Sequence, residues 1–215
     1  TFPISFPLLT TNMSVRGAAG VTTDDQANAD ERRKAGEFVR GVSTAREWIQ
    51  RRTDDDNNSS SSKYPAESGR YHLIVAYNCP WCHRVLLART MLGLEDAITV
   101  DVAFPNRSSE EDSDGRPNLW QFRPDGMKTQ NGMYTSFPEC TEDTVFGGQR
   151  FVKDIYVLCG IEDQKSVPLL IDKQTKTIVN NESAEIVRML STEMREISRF
   201  DDLSKVPDLY PESDK

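Results

Sequence analysis

An apolar, β-rich run at residues 70–77 leads directly into Asn78-Cys79-Pro-Trp-Cys82-His83-Arg84, and the helical pattern that follows stops at Gly93. A strand, a pair of cysteines two residues apart and a helix, in that order, leave few ways to fold. The first cysteine must stand at the helix N-terminus, with Pro80 in the first turn, where a missing N–H costs nothing. Residues 98–102 read as a second strand, which closes a βαβ unit whose crossover makes the two strands parallel.

Downstream, Phe151, Ile155, Leu158 and Cys159 recur at helical spacing up to Gly160. Two short apolar runs, 167–172 and 177–179, flank Lys173-Gln-Thr-Lys176 as a hairpin would. Residues 181–190 then read as a third helix, with Asn181 as N-cap, Glu182 and Glu185 in the first turn, and Ile186, Val187 and Leu190 as the apolar face. The sum is an α/β domain of order βαβ-α-ββα, the thioredoxin-like arrangement, over residues 64–195. Residues 1–63 form an extension: Phe38, Val42, Ala45 and Ile49 predict one amphipathic helix over about residues 30–52, and 53–63 a polar linker. Residues 105–148 are polar, rich in Gly and Pro and too long for an ordinary connection, so they are functional or mobile. Residues 196–215 lead out of the domain.

Of the 215 residues, 37% are hydrophobic and 28% charged, and the polar excess is concentrated before residue 68 and between 106 and 148, which contribute little core. A net charge of -8 is the wrong sign for a nucleic-acid surface. No apolar run approaches the roughly 20 residues needed to span a bilayer, so neither nucleic acid nor membrane is an expected partner. Four cysteines are too few for a secreted disulfide scaffold and indicate a reducing compartment. The cytoplasm fits. An organelle fits too, if residues 1–23, which bear Ser and Thr and lack acids, are the remnant of a targeting peptide.

A thiol reacts as its thiolate, and a helix N-terminus lowers its pKa through unpaired N–H groups and the helix dipole. Cys79 is therefore the expected nucleophile. Arg84 and His83 are candidates for stabilising its thiolate, and Cys82 for a resolving thiol. The same string fits a haem-attachment CxxCH and a zinc CxxC. The preceding strand and the intervening Pro favour thiol redox, and no second CxxC or matched His pair completes a metal site, so no metal is expected. Val167-Pro168 precedes a strand that faces the CxxC helix. Spacing leaves open a cis bond exposing the Val167 backbone to a peptide-like ligand, or an ordinary trans Pro. Glu182 and Ser183 either hold a ligand's ammonium and carboxylate at the third helix or simply cap it. Trp120 is either a ligand anchor or a pin for its loop. Cys140 and Cys159 carry no such signal, and Cys159 reads as core.

Four stretches in order, Tyr64-Pro-Ala-Glu-Ser-Gly-Arg-Tyr-His-Leu73, Cys79-Pro-Trp-Cys-His-Arg84, Val167-Pro168 and Ile178-Val-Asn-Asn-Glu-Ser-Ala-Glu-Ile-Val-Arg-Met-Leu190, resemble signatures of the glutathionyl-hydroquinone reductases, the Xi-class glutathione transferases. Gly36-Glu-Phe-Val-Arg-Gly-Val-Ser43 is similar too. The resemblance implies a glutathione transferase N-terminal domain and glutathione as co-substrate. It also implies a Cys79 that removes glutathione from a glutathionylated quinol, with Trp120, Val167, Pro168, Glu182 and Ser183 holding the tripeptide. Three departures stand out. Cys82 replaces the usual Ala, and Gln164 or Lys165 replaces a glutathione-binding arginine. The helical C-terminal domain, which carries the quinone pocket and the contacts of a homodimer, is expected to be missing after Lys215. Two other readings compete: a glutaredoxin-like dithiol oxidoreductase using Cys79 and Cys82, and a non-catalytic glutathione-binding module.

Overall fold

The sheet is set by the apolar run of β1, Tyr71–Val75, all five residues of which are buried. In a computed structural model of the chain, residues 43–51, 62–109, 115–128 and 133–211 are described. From β1 the chain enters α1, Pro80–Met91, and returns as β2, Ile98–Val102. A small antiparallel pair, β3 at Met127–Lys128 and β4 at Tyr134–Thr135, lies in the long polar stretch. Then come α2 at Val152–Leu158, β5 at Leu169–Asp172, β6 at Thr177–Asn180 and α3 at Ser183–Thr192. The main sheet has the order β2-β1-β5-β6. β1 pairs parallel to β2 and antiparallel to β5, and β5 pairs antiparallel to β6. The thioredoxin-like βαβ-α-ββα order is present.

Each helix carries its reason in its sequence. α1 starts on Pro80, buries Cys82, Val85 and Ala88, and packs on α3. It ends at Gly93, whose φ of +65° suits a residue without Cβ, and a Cβ there would stand 2.7 Å from the Phe200 ring. α3 buries Ile186, Met189 and Leu190 along one stripe. Burial of these faces together with β1 and β5 forms one core. In α2, Leu158 is 60% exposed, and Cys159 is only half-buried at the helix end. The apolar face expected there is therefore carried by Val152, Ile155 and Tyr156.

Two expectations fail in the described residues. The helix expected to run to about residue 52 is extended over 43–51, where Arg46 bridges to Asn180 and Gln50 to Pro65. The edge of β6 offers unpaired backbone groups, and this segment satisfies them: Glu47 N–H donates to the Val179 carbonyl and Asn181 N–H to the Ala45 carbonyl. The domain also exceeds 64–195, because Ala45 and Ile49 on one side and Val206 on the other join its core. Residues 1–42, with most of the expected helix and the targeting stretch, and 52–61 of the linker lie outside the described residues.

The polar stretch after β2 has a definite architecture. Backbone hydrogen bonds Phe104 N–H to Gln121 O, Ser108 N–H to Leu119 O and Asn118 N–H to Ser108 O zip 104–108 onto 118–121. Asp143 then accepts four backbone N–H groups, from Val145, Phe146, Gly148 and Gln149, and so closes the turn that leads into α2. A cavity of about 360 Å³ lined by Phe122, Asp125, Glu142, Gln149 and others lies in this region and holds none of the expected site residues.

Candidate active site

Cys79 is the N-cap of α1, in extended conformation at φ -95° and ψ 116°. Its own N–H donates to the Ala76 carbonyl, and its carbonyl accepts from Cys82 and His83 N–H, so the backbone on both sides of the thiol is fixed. The two sulfurs differ in access: Cys79 is 8% exposed and Cys82 is fully covered. Among the described residues both are free thiols.

The Cys79 pKa is lowered to about 6. The Cys82 thiol, hydrogen-bonded to it, contributes most; burial opposes, and the N–H groups of Cys82 and Trp81 and the charge of Arg107 add to the lowering. Burial pushes the Cys82 thiol far up, and the adjacent Cys79 sulfur adds to this. At neutral pH the pair is thus one thiolate beside one thiol that donates to it. The Cys82 sulfur also accepts the Ala76 N–H at 3.4 Å.

The Val167-Pro168 bond is cis, and the Val167 carbonyl lies 3.8 Å from the Cys79 sulfur. Glu182, not Asn181, caps α3, its carboxylate accepting from Ala184 N–H. Asn181 points inward and donates to Tyr156 Oη, Gln164 Oε1 and Ser166 Oγ, which ties α3 to the loop that presents Val167. Ser183 is fully buried, and its hydroxyl accepts from Arg84, at 3.0 Å from Nε. Trp120 is 6% exposed and belongs to the core, while Arg107 stacks 4.5 Å from its ring centre.

The structure brings Cys79, Cys82 and Val167 together and sets Glu182 and Ser183 at a second corner. The two expected cations are placed as follows. Arg84 lies 4.9 Å over the Trp81 ring and is directed at Ser183 and at Glu182, 3.7 Å away, not at the thiolate. His83 is exposed and is not among the groups that shift Cys79. Arg107 adds to the lowering of the Cys79 pKa, a contribution that sequence reading missed because a charge in a polar loop carries no sign of where the loop folds. Among the described residues, no group of three or more His, Cys, Asp or Glu is placed to hold a metal ion, and no helix is long and apolar enough to cross a membrane.

Residues 78–193 match the family model described as glutathione S-transferase, N-terminal domain. The chain belongs to the Xi-class glutathione transferase family. It is 35% identical to glutathione S-transferase omega-like 2 of Schizosaccharomyces pombe, over 84% of this chain and 49% of that protein. Identity is also 35% to glutathionyl-hydroquinone reductase YqjG of Escherichia coli, over 85% of this chain and 48% of the relative. The crystal structure of glutathione transferase Xi from Phanerochaete chrysosporium superposes with a TM-score of 0.62 at 36% identity, over 82% of this chain and 50% of that one. The glutathione-bound structure of YqjG gives 0.59 at 32%, over 79% and 47%. The chain therefore spans about half the length of the relatives it matches.

Proposed function

We propose that this protein is a glutathione-dependent thiol reductase that removes glutathione from glutathionyl-hydroquinones through Cys79. The observation that carries this reading is a nearly covered Cys79, lowered to about 6, beside the Val167 carbonyl and one turn before a buried thiol donor. A relative of 35% identity bears the name of that activity, and its structure is glutathione-bound. In the first step the Cys79 thiolate attacks the glutathionyl sulfur. The carbon–sulfur bond breaks, the aryl carbon takes a proton and leaves as hydroquinone, and a mixed disulfide remains on Cys79. A second glutathione thiolate then attacks that disulfide, releasing glutathione disulfide and the Cys79 thiolate. Overall the aryl carbon gains two electrons, one from the substrate's thioether sulfur and one from the thiol sulfur of the second glutathione, which end as glutathione disulfide.

Glutathione is the co-substrate, held by the Val167 backbone before Pro168 and by Glu182 and Ser183 at α3. Trp120 supports this wall from the core. Arg84 places positive charge at the Ser183 corner. We further propose that the complete protein works as a homodimer in the cytoplasm or an organelle.

A second reading has its own observation: the Cys82 thiol is hydrogen-bonded to Cys79, as a resolving thiol of a dithiol reductase must be. Turnover of a glutathionyl-hydroquinone with glutathione, followed by chromatography of the released hydroquinone, separates the two. The expected result is loss of turnover in Cys79→Ser and retention in Cys82→Ser. Loss in both variants, with reduction of protein disulfides by wild type, would favour the dithiol reading.

A further inference from the structure

We propose that Ser43 is a positioning residue of the site, whose hydroxyl fixes the Glu182 carboxylate that takes the ammonium group of the bound thiol tripeptide. This rests on the glutathione reading above and adds to it a residue from outside the βαβ-α-ββα order. Residues 43–51 lie along the edge of β6, with Arg46 opposite Asn180 in an antiparallel bridge. Glu47 N–H donates to Val179 O at 2.9 Å and Asn181 N–H to Ala45 O at 3.0 Å, which sets the register. In an antiparallel pair one chain runs forward as the other runs back. Going back from Arg46 to Ser43 on one side therefore goes forward from Asn180 to Ser183 on the other, and Ser43 arrives at the start of α3.

The contacts made there converge on one carboxylate. Ser43 is 8% exposed, and its hydroxyl donates to Glu182 Oε2 at 3.1 Å, with the Asn181 carbonyl 3.4 Å away. The other oxygen, Oε1, accepts Ala184 N–H at 3.4 Å and lies 3.7 Å from Arg84 Nη2. The Glu182 backbone is fixed as well, its N–H donating to Asn180 Oδ1 at 2.7 Å. Arg46 Nε donates to Glu185 Oε2 at 2.8 Å and Asn180 Nδ2 to the Glu47 carbonyl at 3.0 Å, so the segment that carries Ser43 is itself tied to α3 and β6. A glutamate held at both oxygens loses its rotamer freedom on folding and not on ligand binding, which is how preorganisation raises affinity. The Glu182 side chain is 16% exposed, within reach of a ligand. A carboxylate offers about four acceptor positions, so an ammonium group can share an oxygen with these donors.

The test measures, by calorimetry, the binding of glutathione and of deaminated glutathione, which lacks only the ammonium group, to wild type, Ser43→Ala, Glu182→Gln and the double variant. Wild type is expected to prefer glutathione about tenfold, a size typical of one charged hydrogen bond, and Glu182→Gln to bind the two alike. Ser43→Ala is expected to weaken glutathione about threefold and to leave deaminated glutathione unchanged. The double variant is expected to match Glu182→Gln, because Ser43 acts only through Glu182. A purely structural serine would weaken both ligands by the same factor. That result, an undiminished preference in Ser43→Ala, or a further loss in the double variant would overturn the positioning role while leaving glutathione binding intact. A wild type without preference would overturn the role of Glu182, and one that binds neither ligand the glutathione reading itself; this inference falls with either.

Discussion

At the scale of single residues, the chemistry divides between two cysteines one helical turn apart. Cys79 is nearly covered, with its pKa lowered to about 6, and Cys82 is fully covered, with its thiol pushed up by burial. Because the thiolate is the reactive form, alkylation of Cys79 by iodoacetamide is expected to rise with pH through a midpoint near 6 and to level off above it. Replacing Cys82 by Ala removes the strongest stabiliser of that anion, so the midpoint in Cys82→Ala is expected to move up toward the ordinary thiol range. A midpoint that stays near 6 would show that the backbone N–H groups and Arg107 suffice. The place of Cys79 at the start of α1 was legible in the sequence because strand, Cys79, Pro80 and helix are contiguous. Arg107 was not, since its proximity arises from a ribbon pairing across 104–121. Nor was the contact of Arg84 with Ser183, which lies about 100 residues further along the chain but touches it in space.

At the scale of elements, end signals and apolar runs read well, and spacing alone read poorly. Gly93 ended α1 as expected. The prediction attached to it is that Gly93→Ala, with φ of +65° and a Cβ 2.7 Å from Phe200, loses about 1–3 kcal/mol in thermal or denaturant unfolding. An unchanged melting temperature would mean that the turn relaxes without cost. The segment 43–51 shows the limit of periodicity. Ala45 and Ile49 are four apart, which suits a helical face, but Ser43, Ala45 and Ile49 are all odd-numbered positions and fit one side of an extended strand equally well. The tie is broken by β6, whose free edge lies outside any local window. Asn181 was read as a cap on local grounds, whereas its three tertiary hydrogen bonds turn it inward and leave the cap to Glu182.

At the scale of the whole molecule, the start of β1 is locked to the end of β5 by a buried ion pair. Arg70 and Asp172 lie 2.6 Å apart, with Asp172 fully covered. Burial alone would raise the Asp172 pKa, but the Arg70 guanidinium, the Thr175 hydroxyl and the Gln174 N–H outweigh it and hold the carboxyl below its ordinary value. A depressed carboxyl contributes stability that is present above the unfolded-state pKa, near 3.8, and lost as pH falls through the folded-state value. Asp101 behaves alike: burial opposes, and His72 and Thr144 hold its pKa down. The fold is therefore expected to lose stability below about pH 4. Asp172→Asn is expected to cost about 3 kcal/mol at neutral pH and to flatten the acid limb in a urea titration. A variant as stable as wild type at pH 7 would remove this pair from the account.

The most direct test of Cys79 as the nucleophile is intact-mass spectrometry of the protein after incubation with a glutathionylated hydroquinone, in wild type and Cys79→Ser. The account predicts one glutathione adduct on wild type, mapped to Cys79 and removed by excess glutathione, and none on the variant. An adduct that persists in Cys79→Ser, or no adduct on folded wild-type protein, would contradict it.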